Sequence, residues 1–270
     1  MRTQALLLLA ALGLWVPCAQ AHDSWLSPAR DPAPGGHVAL ELATGNRYPR
    51  QEFSQTAASV AQSGCIDARG ERIPLRPVRE QPRWLDLDAR LASDGRVAVS
   101  CWVELHTAEV DIEPRIVQVY FRDIHASTAI RTAWSDLQAR HVGWHERYRK
   151  FARIELAAKG ETASGALAAA RRPVGLDLEM VVLGDRPVVV GEPLRFQVLR
   201  DGRPLAGLPV ELVSERSPLG IWRETDAEGV IEHRLPFGGR WLLRATDLRE
   251  SSEAPGSWAS RFVTLAIEAP

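Results

Sequence analysis

In the second half of the chain, no alternating apolar pattern persists for more than a few residues before glycine, proline or aspartate interrupts it. Leu194-Arg195-Phe196-Gln197-Val198 alternates and is followed by Asp201-Gly202; the pattern resumes at 210–213 after Pro204 and Gly207. Trp222-Arg223-Glu224-Thr225 leads into Asp226-Ala227-Glu228-Gly229, a turn before Val230-Ile231-Glu232-His233-Arg234. Gly238-Gly239 precedes Trp241-Leu242-Leu243-Arg244-Ala245, and 262–267 supplies a last strand. Segments this short, with a two-residue period, can bury an apolar face only by pairing into stacked sheets. The spacing predicts an immunoglobulin-like or transthyretin-like β-sandwich, and no helical periodicity competes.

The first half is also strand-rich, with segments at 37–42, 72–77, 84–87 and 97–105. Between about 113 and 148 the period changes. Ile116, Val119 and Tyr120 fit one helical face, Ile130, Ala133, Trp134 and Leu137 recur at three- and four-residue steps, and Pro114 suits a first turn. Glu109, Asp111 and Glu113 read as a charged approach to that helix. Gly160 through Ser164-Gly165, and on to Arg171-Arg172-Pro173, reads as a linker. The expected fold is all-β with a small helical insertion: a β-sandwich domain over 22–172, with the insertion at about 113–148, and an immunoglobulin-like sandwich over 173–270.

Met1-Arg2-Thr3-Gln4 is a short basic start, 5–16 is apolar, and Ala19-Gln20-Ala21 fits a signal-peptidase site, so 1–21 reads as a signal peptide. Lipidation at Cys18 is the weaker reading, because Pro17 stands where a small residue belongs. Cleavage removes one of 33 basic residues and none of the 34 acidic ones, so the formal charge moves from −1 to −2. Nothing in that balance suggests nucleic acid, and no later segment has spanning length. Cys65 and Cys101 are then the remaining cysteines, and an oxidising compartment favours a disulfide over a thiolate metal site. Alternation in 97–105 sets Cys101 on the face of Val97, Val99, Val103 and Leu105, as a bridge between strands requires.

Cleavage after Ala21 makes His22 the first residue, with its α-amine and imidazole on one residue. Both lose a proton near neutral pH and together chelate one divalent transition ion such as nickel, cobalt or copper. A complete site needs another donor. Trp102, Glu104 and His106 share the strand face opposite Cys101, where the plain alternative is a solvent-facing polar pair. His141 and His145 stand four apart, the spacing of a helical metal pair, but Gly143 interrupts that helix, and two exposed loop histidines is the plainer reading. Asp23, His37 and His125 are further candidates; His37, His125 and His233 read as surface or packing residues, and Trp25 and Trp144 as core or interface anchors.

His22-Asp23-Ser24-Trp25-Leu26-Ser27-Pro28, Gly45-Asn46-Arg47-Tyr48-Pro49, Glu146-Arg147-Tyr148, Gly191-Glu192-Pro193-Leu194 and Asp201-Gly202-Arg203-Pro204-Leu205-Ala206-Gly207, with Thr225-Asp226-Ala227-Glu228-Gly229 and Gly239-Arg240-Trp241, occur in one order along the chain. Together they resemble a bacterial exported family described by a domain of unknown function, whose members are often labelled periplasmic components of nickel or cobalt uptake. The resemblance implies a periplasmic location and a membrane metal-uptake system as partner. Two segments depart from it: His145 stands where the resemblance suggests arginine, and Asp123-Ile124-His125 where it suggests a glutamate- and glycine-rich helix end. Asp226 and Gly229 read as turn formers.

No nucleophile elbow, phosphate loop or His-Glu-x-x-His is present. The sequence therefore favours a metal carrier over an enzyme. The alternatives are a copper oxidative enzyme with a histidine brace at His22, and a metal-free adhesive or scaffolding module.

Overall fold

The computed structural model describes residues 22–30, 35–92, 98–156 and 165–270. The signal-peptide reading at 1–21, Cys18 within it, Val97 and the Gly160–Ser164 part of the expected linker lie outside those residues. Three sheets account for the described strands, and the middle one has nine strands. That sheet draws on both halves of the chain. Trp144–Leu156 pairs in parallel with Ser257–Ala269, from His145 opposite Ser257 to Ile154 opposite Ala266. The expected boundary at Pro173 therefore separates two stretches of sequence whose strands share one continuous sheet.

Each face of the central sheet is covered by a smaller sheet, giving three layers. On one face lies the amino-terminal sheet of Asp23–Pro28, His37–Gly45, Leu85–Arg90 and Arg76–Glu80, with the short Phe53–Ser54 beside it. Trp25, Leu40, Leu42 and Leu87 meet Val103, Ile154, Leu242 and Ala266 there. On the other face lies the sheet of Leu178–Val182, Pro193–Arg200, Arg203–Pro204 and Val230–Arg234. Leu178, Met180, Phe196 and Val198 meet Trp102, Phe151, Trp241, Leu243 and Leu265. Neighbouring residues of one central strand, such as Leu242 and Leu243, thus enter different cores, as a two-residue period requires.

Val99–Leu105 shows why the sheet must be covered twice. All seven of its residues are buried. Cys101 faces the amino-terminal sheet and is bonded to Cys65 directly across the ladder, so the expected disulfide is present between neighbouring strands. The opposite face, with Trp102 and Glu104, is not solvent-facing, because the Leu178–Val182 sheet packs over it.

The helical insertion comprises Pro114–Asp123 and Thr128–Ala139, closing a third core around Trp134, Trp144, Trp258 and Phe262. Its first helix buries Val117, Tyr120 and Phe121, while Val119 is exposed, so the inward face is rotated from the Ile116, Val119 and Tyr120 stripe expected. Trp134 and Leu137 do face inward on the second helix. The insertion ends sooner than expected, since Trp144 already opens a strand. Glu109 and Asp111 lie on a strand, Ala108–Ile112, paired with that opening. The linker region is not open either. Ala166–Ala170 is a helix, Arg171 binds Glu155, and Arg153 donates to the carbonyls of Ala170 and Arg172.

Candidate functional site at the head of the first strand

His22 leads directly into Asp23–Pro28, whose first five residues are buried. This strand pairs with His37–Gly45, Asp23 opposite Gly45, and lies across one face of the central sheet. The side chains below it are polar. The Lys150 ammonium donates to the His22 carbonyl at 2.7 Å, the Thr264 hydroxyl donates to the Ser24 carbonyl at 2.7 Å, and Arg244 forms an ion pair with Asp23. The Ser24 and Thr44 hydroxyls lie 2.7 Å apart, and Gln55 donates to Thr44 at 2.8 Å. The His22 ring meets Phe53 edge-on at 4.9 Å. Three strands distant in sequence thus hold His22, Asp23 and Ser24, two of them through backbone carbonyls and the third through the Asp23 carboxylate.

The row continues beneath the helices. Glu146, 1% exposed, accepts from Tyr120 at 3.0 Å and Trp144 at 2.9 Å, and from Ser260. Burial raises its carboxyl pKa, and these three donors, with the Lys150 charge, pull the other way. Burial lowers Lys150 to about 8, opposed by Asp23 and Glu146. Burial alone would lower Arg244, but Asp23 and Glu211 outweigh it and hold that guanidinium charged; its Nε donates to Glu211 at 2.7 Å. Asp123, at the end of the first helix, is raised by burial in the same neighbourhood.

Beside Asp23 and Arg244 opens a cavity of about 540 Å³. Trp25, Arg47 and Tyr48 form one wall, and Glu215, Arg216 and Ser217 the other. The segments His22 to Trp25, Asn46 to Tyr48, and Glu146 to Tyr148, far apart in sequence, therefore gather around one strand head.

The predicted ligands are scattered by comparison. Glu104 is paired with Arg149 and accepts from Gln62 on the far face of the central sheet from His22, so the fold does not bring it to the amino terminus. His106 lies just past the end of that strand, exposed, its amide bound to the Ser59 carbonyl at 2.9 Å. His145 sits on a strand, with Nδ1 2.9 Å from Asp111 and Nε2 3.9 Å from Glu109. His141 is not on a helical face with it. Both His141 (φ 60°) and His125 (φ 51°) occupy the left-handed position one residue beyond a helix cap. In each case paired return bonds close the helix: His141 to Gln138 with Val142 to Leu137, and His125 to Arg122 with Ala126 to Phe121. His125 also stacks on Trp222 at 3.6 Å. His37 bonds Asp88 at 3.0 Å. Among the described residues no three His, Cys, Asp or Glu side chains gather to hold a metal.

Lys150, Arg244 and Thr264 went unsingled in the sequence. Lys150 alone carried a signal, as one of two lysines in an arginine-rich chain. Among the described residues no helix is long and apolar enough to cross a membrane.

Residues 19–247 match the family model of a domain of unknown function, DUF4198, and the chain belongs to that family. No curated protein matches it. The crystal structure of native alpha-2-macroglobulin from Escherichia coli spanning domains MG0-NIE-MG1 aligns with TM-score 0.20 and 10% identity, over 87% of this chain and 95% of that one, a likeness too slight to carry an argument.

Proposed function

We propose that this DUF4198 protein is exported, begins at His22 after cleavage, and holds one divalent transition ion through the α-amine and imidazole of that residue. The ion is nickel, cobalt or copper, carried for a membrane metal-uptake system. The observation that supports this reading is the anchoring of the strand head, above all Lys150 on the His22 carbonyl. A terminal chelate is useful only if its residue is held still, and here the carbonyl of that same residue is fixed by the fold. The donor set suits the group in part: one residue supplies two nitrogens, and His106, exposed past its strand, is the histidine to test as a further donor. Incomplete protein coordination suits a carrier, which must release its ion.

Calorimetry with nickel, cobalt and copper on mature protein tests the reading against three altered forms: His22→Ala, a form with one extra residue before His22, and His106→Ala. The extra residue retains the imidazole but turns the amine into an amide, so it should weaken binding nearly as much as His22→Ala. Copper should bind most tightly whatever the physiological cargo. Affinity should fall as pH drops below about 7, where both nitrogens protonate. Equal affinity in the mature, extended and His22→Ala proteins would overturn the proposal and favour a metal-free scaffold.

A further inference from the structure

The cavity of about 540 Å³ beside the strand head is in the range of small-molecule sites, and its charges are unevenly matched. Its floor is self-neutralised: Arg244 lies between Asp23 and Glu211, and Lys150 adds a second positive charge near Asp23. On the far wall, Glu215 is taken up by Arg240 at 2.7 Å. Two guanidiniums are left over. Arg47 is exposed and has no carboxylate partner among the described residues. Arg216 on the opposite wall donates to the Gly238 carbonyl at 3.0 Å and lies over the Phe237 ring at 5.1 Å; its charge helps lower the Glu215 pKa, but among the described residues it forms no ion pair. Arg47 comes from the bend just after His37–Gly45 of the amino-terminal sheet, and Arg216 from the turn between 209–214 and 217–224 in the carboxy-terminal half. A ligand that reached both would bridge the two halves.

The remaining lining narrows the ligand. Trp25, Val213, Pro218 and Leu242 are apolar and would cover a carbon skeleton. The Tyr48 phenol, pushed up to about 12 chiefly by burial, stays a hydroxyl donor at neutral pH, and Ser217, whose hydroxyl accepts from the Leu219 amide at 3.2 Å, also lines the space. We propose that this cavity binds a small organic anion with two or three carboxylates, held between Arg47 and Arg216. Guanidinium groups suit carboxylates through paired hydrogen bonds, and two of them on opposite walls select for charge at both ends of a ligand. The site is distinct from the His22 chelate and does not require a metal.

Metal-free protein titrated with tricarballylate, followed by calorimetry and by the part of the tryptophan fluorescence change that Trp25→Phe abolishes, tests the proposal. Binding at one site per chain is expected. Arg47→Ala and Arg216→Ala should each weaken it at least tenfold, Arg47→Lys less, and Arg83→Ala, remote from the cavity, not at all. Unchanged melting temperatures would show that the variants fold. Inorganic phosphate and sulfate at the same concentration should displace the ligand poorly, because they leave the apolar wall uncovered. Absence of binding, equal affinity in Arg47→Ala, Arg216→Ala and the parent, or equal competition by phosphate would each overturn it. Repeating the titration on the His22→Ala form keeps the two sites separate: the organic anion should still bind.

Discussion

The two faces of the nine-stranded sheet are built from the same strands yet do different work. Toward the Leu178–Val182 sheet, the central strands present Trp102, Phe151, Leu243, Val263 and Leu265, a closed and mainly apolar layer whose charges pair among themselves. Toward the amino-terminal strand, those strands present Leu242, Ala152, Ile154 and Ala266 at one end and Glu146, Lys150, Arg244, Ser260 and Thr264 at the other. The apolar end needs only the covering sheet. The polar end needs partners, and it finds them in the backbone of His22 and Ser24 and in the Asp23 carboxylate. Where a sheet face turns polar under a covering strand, that strand is fixed by directional bonds, and its end becomes a defined place for chemistry.

Charged pairs interrupt that face at Glu104–Arg149, Arg153–Glu179 and Glu155–Arg171, and breaking the most buried of them should give the largest effect. Arg153 and Glu179, 2% and 1% exposed, form a pair between the central and covering sheets. Glu179 also accepts from the Val174 and Gly175 amides, and Arg153 from its remaining donors holds the Ala170 and Arg172 carbonyls. Glu179→Ala should cost about 3–5 kcal/mol, because it leaves a buried guanidinium uncompensated. The double variant Arg153→Met/Glu179→Leu should recover part of that loss in urea unfolding. An additive double variant would mean that the pair is not coupled. Next in size is the disulfide on the opposite face. It closes 36 residues, so Cys65→Ala/Cys101→Ala should cost roughly 3–4 kcal/mol on a chain-entropy account, and reductant should destabilise the parent but not the variant.

Much of this architecture was legible in local pattern. Alternation located most strands and the inward face of Cys101, because a strand's period depends on its own residues. What covers a strand does not. Trp102 and Glu104 looked solvent-facing because nothing within 97–105 reveals that a sheet from the other half of the chain will close over them. The parallel pairing of Trp144–Leu156 with Ser257–Ala269 joins segments more than a hundred residues apart and has no local signature. At His141 the four-residue spacing to His145 offered a ligand pair, but Gly143 already favoured exposed loop histidines, and the backbone at φ 60° ends the helix there, a position usually given to glycine or asparagine. The strand head was half legible: the expected cleavage site singled out His22 and family resemblance marked Asp23, Tyr48 and Glu146, but Lys150, Arg244 and Thr264 lie in strands whose polar positions look like ordinary outward faces.

Lys150 gives the smallest effect and the sharpest contrast between the faces. Arg153, on the same strand, is buried against a full carboxylate, whereas the Lys150 ammonium has a neutral carbonyl as its hydrogen-bond partner, with Asp23 and Glu146 acting only as nearby charges. Burial therefore prevails and its pKa falls from 10.5 to about 8. Between those values the unfolded chain holds a proton that the folded chain has released, so stability should rise with pH across that window, and the full cost of the buried charge should be felt below it. The gain is about 2–3 kcal/mol at most, since part of the side chain is open to water. Tyr48 acts in the opposite sense from pH 10 upward, because burial raises its pKa from 10.0 to about 12 and the folded chain then holds the extra proton. Subtracting the pH profile of Lys150→Met from that of the parent removes the tyrosine and isolates the lysine. Between pH 7 and 9.5 the parent should gain stability relative to the variant. A flat difference would mean that the Lys150 ammonium is solvated in the folded state and that the strand head is held by Asp23 and Ser24 alone.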